Sequence, residues 1–349
     1  MSNVFCGVDF HKRTCTIFTC DKEGKQIGPA KRVPTDQLAH HLRNIKSAVV
    51  GIEGSGGVNH TVKNLRAEGI DVRILNASKS RAIGHGGKKT DSKDAETIAN
   101  LLRSNFAPEV ILRSQRTRDM SMLITARQHV VDSRVTGINH IRGLLREYGI
   151  VMDAGAEKFL VNAKKAIEDL KKQNPILSEQ LLKSFEQVKD LKKREEEIDK
   201  IIEEQSSEDV RIKRIRTIPG LGPLGAYLMV AVIDDITRFP NSSKFASYLG
   251  LVPRENSSGD KRRLGSVTKA GNETLRRYLI HGARAVLKRS SRYKNDPMFL
   301  WAQRIEAKRG TNKATVALAH KLARIAFAVC RDGVEYTDGS RLQKAKKAA

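Results

Sequence analysis

Two aspartates, Asp91 and Asp94, stand three residues apart in Lys88-Lys89-Thr90-Asp91-Ser92-Lys93-Asp94, among lysines and at the head of a helical pattern. From Ala95 to Leu102, Ile98, Leu101 and Leu102 fall on one helix face with no Pro or Gly between them. Both acids therefore belong in or beside a first turn, where residues three apart share a face. Alone, such a pair caps a helix and compensates its dipole. Two more acids widen the chemistry. Asp9 closes the apolar run Val4-Phe5-Cys6-Gly7-Val8-Asp9, and Glu53 closes Ala48-Val49-Val50-Gly51-Ile52-Glu53. Open α/β sheets build their sites outside the C-terminal ends of strands, which is where both acids fall. Four converging carboxylates cannot all stay ionised without cations, and hard oxygen ligands select Mg²⁺ or Mn²⁺. Two such ions about 3.5 to 4 Å apart would clamp the attacking and leaving oxygens of a phosphodiester. Lys88, Lys89 and Lys93 would hold the nucleic-acid backbone nearby. Read singly, Asp9 is a turn acid and Glu53 a solvated strand end; their coincidence favours a metal site.

A second candidate lies in Val252-Pro253-Arg254-Glu255-Asn256-Ser257-Ser258-Gly259-Asp260-Lys261-Arg262-Arg263-Leu264-Gly265, a polar loop with two hydroxyls beside Gly and a basic triplet. Its serines read either as a turn or as one nucleophile toward phosphorus, with arginines stabilising the transition state. Composition does not choose between them. Upstream, Ile218-Pro219-Gly220-Leu221-Gly222-Pro223 precedes the apolar run Leu224 to Ile233. It reads as a helix-hairpin-helix turn in which Gly220 and Gly222 expose backbone N–H groups to phosphate, or as a plain interhelical turn.

The elements that must position these groups follow from periodicity. Thr14 to Cys20 is a second β-rich run, and a turn at Asp21 to Gly24 leads into a third over Lys25 to Val33. A helix over Thr35 to Asn44, the Ala48 strand, a helix over Val58 to Glu68 and the strand Val72 to Leu75 follow. The order βββαβαβα is that of the ribonuclease H superfamily. An actin-like ATPase also opens on strand, Asp and hairpin, but it needs a Gly-rich phosphate loop where this chain has Phe10-His11-Lys12-Arg13. Arg116 to Tyr148 is a basic helix, and Val151 to Ala156 breaks it. Leu181, Phe185, Val188, Leu191, Ile198 and Ile202 then form the stripe of a helical hairpin or short coiled coil, whose phase slips by one residue near Leu191.

The chain has 349 residues and a formal net charge of +25, from 64 Lys+Arg against 39 Asp+Glu. Such an excess points to a polyanionic partner. Part of it is concentrated between Leu251 and Lys294, with 12 basic and 3 acidic residues. No apolar run approaches the ~18 residues of a membrane span, and no signal core is evident. Cys6, Cys15, Cys20 and Cys330 show no metal-ligand spacing, and the first three, in apolar strand-like runs, read as reduced core residues of a cytosolic protein.

With both blocks in view, the chain resembles the DEDD-type transposases of bacterial insertion sequences, a group that includes the Piv and MooV recombinases and the bridge-RNA-guided enzymes. Gly7-Val8-Asp9, Ile52-Glu53-Gly54-Ser55-Gly56 and Lys89-Thr90-Asp91-Ser92-Lys93-Asp94-Ala95 look like the three acidic motifs. Ile218 to Gly222, and Gly250-Leu251-Val252-Pro253-Arg254 through Ser258-Gly259 to Lys269-Ala270-Gly271-Asn272, look like the C-terminal transposase domain. His11 departs from the small residue many members carry there. The resemblance implies an α/β RuvC-like domain over 1–112, a helical and coiled-coil connector over 113–208, a mainly helical transposase domain over 209–335 and a basic tail over 336–349. It implies an Asp9, Glu53, Asp91 and Asp94 tetrad binding Mg²⁺ or Mn²⁺. Ser258, with Ser257 as second choice, would be the nucleophile. Arg254, Lys261, Arg262, Arg263 and Lys269 would meet nucleic acid. DNA ends and target, a noncoding guide RNA and a dimer or tetramer with a composite active site are the implied partners. A DNA invertase working without RNA and a non-catalytic nucleic-acid-binding protein are the alternatives.

Overall fold

The computed structural model describes residues 4–45, 48–83, 90–259, 261, 263–288, 293 and 296–337. Lys88, Lys89, Arg262 and the tail from 338 lie outside the described residues. The chain forms two compact units, Met1–Leu112 and Arg113–Ala349.

The first unit runs β1 (Val4–Phe10), β2 (Thr14–Asp21), β3 (Lys31–Pro34), α1 (Leu38–Arg43), β4 (Ala48–Glu53), α2 (Val58–Ala67), β5 (Val72–Leu75), α3 (Ala77–Ile83), α4 (Asp91–Arg103) and β6 (Glu109–Val110). Its sheet has the order β3-β2-β1-β4-β5-β6. The first three strands form an antiparallel meander. β1, β4 and β5 are parallel, as their helical crossovers require. Side chains alternate across a strand, so each face has its own core. Cys6, Val8, Phe10, Val50 and Ile52 pack with Leu38 and Leu42 of α1 and with Val58, Val62 and Leu65 of α2. On the other face, Ile98, Leu101 and Leu102 of α4 cover Val49 and Leu75, and Ala95 and Ala99 cover Phe18 and Cys20.

Three local features differ from the sequence expectation. The third strand is shorter than Lys25 to Val33 because Asp21 Oδ1 accepts from the backbone N–H groups of Glu23 and Lys25 at 3.1 and 2.8 Å, folding the turn tightly. Gln26 still bridges to Cys20, and the Ile27 N–H donates to the Thr19 carbonyl at 2.8 Å; Gly28, at φ +71°, and Pro29, which has no N–H to give, then interrupt the ladder until Lys31. The helix expected from Thr35 opens with a 3-10 turn, Thr35–Gln37, before α1. Two elements, α3 and the two-residue β6, are additions that short, weakly patterned segments do not announce.

The second unit comprises α5 (Gln115–Glu147), α6 (Ala156–Leu170), α7 (Pro175–Glu208), α8 (Val210–Arg216), α9 (Pro223–Ile233), α10 (Ser242–Tyr248), β7 (Pro253–Glu255), β8 (Leu264–Val267), α11 (Glu273–Lys288), α12 (Pro297–Arg309) and α13 (Thr311–Asp332). The polar loop at Val252 to Gly265 is thus closed by a short antiparallel ribbon. The long helices α5 and α7 lie antiparallel, since Arg127 meets Asp199 while Gly137 faces Val188. Asn174 caps α7 by accepting from the Leu177 N–H at 3.0 Å, and Pro175 occupies the first turn. Ile138, Ile141, Leu145, Leu181, Phe185 and Val188, with Phe159 and Ile167 of α6, fill the end near that cap. Met120, Ile124 and Ile202, at the other end, join the core built around α9. Every residue of α9 from Gly225 to Ile233 is buried, as an all-apolar helix must be.

Where the apolar stripe of α7 slips, the interface becomes ionic. Arg134 Nε donates to Glu195 Oε2 at 2.9 Å, and Arg127 Nη2 donates to Glu195 Oε1 at 3.0 Å and to Asp199 Oδ2 at 2.8 Å. Glu195 and Arg134 are each 8% exposed. Glu195→Ala would leave the Arg134 charge buried without its carboxylate, so a loss of about 3 kcal/mol in denaturant unfolding of the helical unit is expected. A double Arg134→Met, Glu195→Leu variant should recover most of it; equal losses in the two would refute the ionic account.

Candidate functional site

The site of the first unit begins with two glycines. Gly7 and Gly51 are paired neighbours on the parallel strands β1 and β4. A Cβ on Gly7 would lie 1.9 Å from the Ala95 carbonyl oxygen and 2.6 Å from the Ala99 nitrogen; one on Gly51 would meet Leu102 Cδ1 at 2.6 Å and Ile98 Cγ2 at 2.8 Å. Only bare backbone admits α4 this close to the sheet. Asp9 and Glu53 follow their glycines by two residues and so project to the same face. Val8 pairs with Ile52, which sets the two acids at neighbouring strand ends. α4 starts at Thr90, whose hydroxyl accepts from the Lys93 N–H at 3.3 Å, so Asp91 and Asp94 occupy its first turn. Asp91 and Lys93 are exposed, and Asp94 is half-buried.

The geometry gathers some of these groups more tightly than others. Asp9 is 6% exposed, whereas Glu53 is half-buried. His11 Nε2 lies 3.1 Å from Asp9 Oδ2 and 3.9 Å from Asp91 Oδ1. One ligand atom from each of Asp9, His11 and Asp91 falls within 4.8 Å of the others; among the described residues no other such group occurs, and Glu53 and Asp94 stand outside it. Burial pushes the Asp9 carboxyl above the usual carboxylate range; the charge of His11 pulls it down, and those of Asp91 and Asp94 push it up. Clustered carboxylates that repel one another's ionisation are a donor set that a divalent cation relieves. His11 and the two glycines are what residue-by-residue reading undervalued. The signal for the glycines was present as a Gly two positions before the acid on β1 and on β4.

The serine candidates sit on the β7–β8 ribbon. Two backbone approaches hold its base. A Cβ on Gly250 (φ +68°) would meet the Ala270 carbonyl at 2.3 Å, and one on Gly271 (φ +119°) the Tyr248 carbonyl at 2.0 Å. The Lys269 N–H donates to the Gly250 carbonyl at 3.2 Å and the Thr268 N–H to Val252 at 2.9 Å. At the tip, Ser257 Oγ donates to Glu255 Oε1 at 2.9 Å and accepts from the Arg263 N–H at 3.0 Å. Ser258 is exposed, and its hydroxyl has no hydrogen-bond partner among the described residues; its backbone carbonyl accepts from Lys261 at 3.3 Å. Arg254, Lys261 and Arg263 of the ribbon and Lys269 at its base are exposed.

Gly220 has a packing reason of its own. At φ +84°, its Cβ position would lie 2.7 Å from the Gly282 carbonyl, so it is where the turn after α8 meets α11 backbone to backbone. Gly222 has open space around it and accepts from the Ala226 N–H at 2.9 Å, heading α9.

A mixed sheet with acids at its parallel strand ends, and a helix bringing two more, is consistent with a RuvC-like DEDD domain, and the second unit adds a helical body bearing a serine hairpin. That combination defines the class of DEDD transposases. A family model described as a transposase of DEDD type matches residues 6–150, and one described as "Transposase IS116/IS110/IS902 family" matches 212–296. The chain is 33% identical over 342 residues to the transposase for insertion sequence element IS1111A of Coxiella burnetii, covering 96% of this chain and 91% of that one. It is 29% identical to a probable family 20 transposase of Pseudomonas aeruginosa, over 95% of this chain and 98% of the relative. It is 28% identical to the transposase for IS1328 of Yersinia enterocolitica, over 97% and 100%. The chain belongs to the IS110/IS116/IS902 family of transposases.

The close approach of α4 makes a graded prediction. Gly7→Ala drives a methyl into the α4 backbone, which cannot yield, and should destabilise the first unit by about 3 kcal/mol or more. Gly51→Ala meets side-chain ends that can turn aside and should cost less. Thermal melts of both variants check the order, and equal melting points would refute it.

Proposed function

We propose that this transposase moves its own insertion sequence by metal-assisted phosphoryl transfer, with Asp9, Glu53, Asp91 and Asp94 holding Mg²⁺ or Mn²⁺ and Ser258 as nucleophile. The observation that carries the reading is the convergence of Asp9 and Asp91, from a strand end and a helix start far apart in sequence, on a space within reach of one ion. When bound, the cations would polarise the scissile phosphate and neutralise charge building on its oxygens. The protein's own groups do the rest. Ser258 Oγ attacks phosphorus and gives up its proton, a P–Oγ bond forms, and the bridging P–O bond breaks to release a DNA hydroxyl. Attack of a second DNA hydroxyl on the phosphoserine restores the serine and joins the new ends. Arg254, Lys261 and Arg263 suit stabilisation of charge on the five-coordinate transition state. Lys88, Lys89, Lys93 and Lys269 suit contacts to phosphate, as do the backbone N–H groups of Gly220 and Gly222.

Ser258 is preferred to Ser257 because the Ser257 hydroxyl is engaged on both sides within the ribbon. A reacting hydroxyl must be free to approach phosphorus. Ser257 then serves to hold the tip.

In the same reading a structured noncoding RNA pairs with element ends and target. The tetrad of one protomer meets the serine of another in a dimer or tetramer, and the protein works in the cytoplasm at the nucleoid. The net charge of +25 suits a partner set of DNA and RNA. Among the described residues no helix is long and apolar enough to cross a membrane.

Ser258→Ala is expected to abolish strand exchange and the covalent protein–DNA adduct, whereas Ser257→Ala should retain both at a reduced rate. Asp9→Asn, Asp91→Asn or Asp94→Asn should stop cleavage while the protein stays folded by circular dichroism. Full recombination by Ser258→Ala would overturn the nucleophile assignment. Absence of any discrete RNA co-purifying from the host would favour the invertase reading without RNA.

A further inference from the structure

We propose that His11 is an additional ligand of the ion bound by Asp9 and Asp91, turning an all-oxygen donor set into a mixed one and biasing the site toward Mn²⁺ over Mg²⁺; this rests on the metal reading above. The geometry comes first. His11 sits one residue past β1, and its backbone is held on both sides: its N–H donates to the Thr14 carbonyl at 3.1 Å, and the Thr35 hydroxyl donates to its carbonyl at 3.0 Å. The ring is thus carried on a fixed stretch of chain. Nε2 stands 3.1 Å from Asp9 Oδ2 and 3.9 Å from Asp91 Oδ1. Ligand atoms bonded at ~2.1 Å to one ion stand about 3 Å apart when they are neighbours in its coordination shell. The Asp9–His11 separation already matches such an edge, and Asp91 needs only a small adjustment of an exposed side chain.

The surroundings point the same way. The His11 side chain is 53% exposed, so core packing does not account for its orientation. It reaches into the one place among the described residues where three potential ligand atoms from separate residues converge. As a ligand the ring would be the neutral tautomer with its one proton on Nδ1, so that Nε2 presents its lone pair to the ion. Imidazole suits later divalent metals better than it suits Mg²⁺, which demands oxygen and gives up its water reluctantly. A site with one imidazole among carboxylates would therefore discriminate where an all-carboxylate site would not.

The test uses the full-length protein with Mn²⁺ or Mg²⁺ alone. Mn²⁺ bound to the unaltered protein should give an electron-spin-echo spectrum with nitrogen coupling from a directly bound imidazole. His11→Ala should lose that coupling, and its preference for Mn²⁺, measured by displacing Mn²⁺ with Mg²⁺, should fall on the order of tenfold. Asp9→Asn should weaken binding of both ions. Mn²⁺ bound in an Asp9-dependent way, but without nitrogen coupling and with unchanged selectivity in His11→Ala, would overturn the role of His11 and leave the tetrad standing. Mn²⁺ binding indifferent to Asp9→Asn would overturn the metal reading itself, and this inference with it. A circular dichroism melt matching the unaltered protein shows that each variant is folded.

Discussion

The backbone contact of α4 with β1 is the constraint on which the first unit depends. A helix normally stands off a sheet by the depth of two layers of side chains. Here Gly7 removes one layer, and the Ala95 and Ala99 backbone comes down onto the strand. Gly51, its partner on β4, clears room for Ile98 and Leu102. With α4 so close, its first turn lies by the strand ends, and Asp91 reaches within one ion's span of Asp9. Two missing side chains thus bring together charges that would otherwise be separated by packing. The result is electrostatically costly: burial raises the pKa of Asp9, the charge of His11 lowers it, and those of Asp91 and Asp94 add to the rise. Such a cost is met at functional sites more often than in regions shaped for stability.

The second unit uses the same device twice more. Gly220 against Gly282 brings the turn after α8 onto α11, and Gly250 and Gly271 fasten the base of the serine ribbon to the end of α10. In each pair the approach is set by main chain, which cannot change rotamer. The ribbon tip is therefore presented from a rigid base. Its two serines differ for a local reason, since only one of them is spent on holding the hairpin. The antiparallel α5–α7 pair has a different logic: apolar at the end near α6, ionic in the middle and merged with the α9 core at the other end.

Much of this was legible in order. The strands β1, β2, β4 and β5 followed from apolar runs, and Asp91 and Asp94 from the helix start that Thr90 caps. The third strand was misread in extent, because β propensity does not register an aspartate that folds the turn back on itself. The ribbon around Ser257 and Ser258 read as a loop, since its strands are three and four residues long and exposed. α3 and β6 escaped for the same want of pattern. The acids of the first unit were legible because strand ends and helix starts are local features. His11 was visible only as an oddity of sequence, because its partners come from β1 and from α4, eighty residues on.

Sequence by itself determined the order of the long, well-patterned elements, the placing of acids at strand ends, the polyanion-seeking charge and the membership of a transposase family. Periodicity, turn residues and net charge are properties of neighbouring residues or of their sum. The tertiary structure decided which groups meet: Asp9 with His11 and Asp91, Glu195 with two arginines, and Ser257 rather than Ser258 with Glu255. Those meetings depend on how near one backbone can come to another. At Lys88 to Asp94, a run that reads alone as a capped helix start, it is the missing Cβ of Gly7 that sets where the two aspartates arrive.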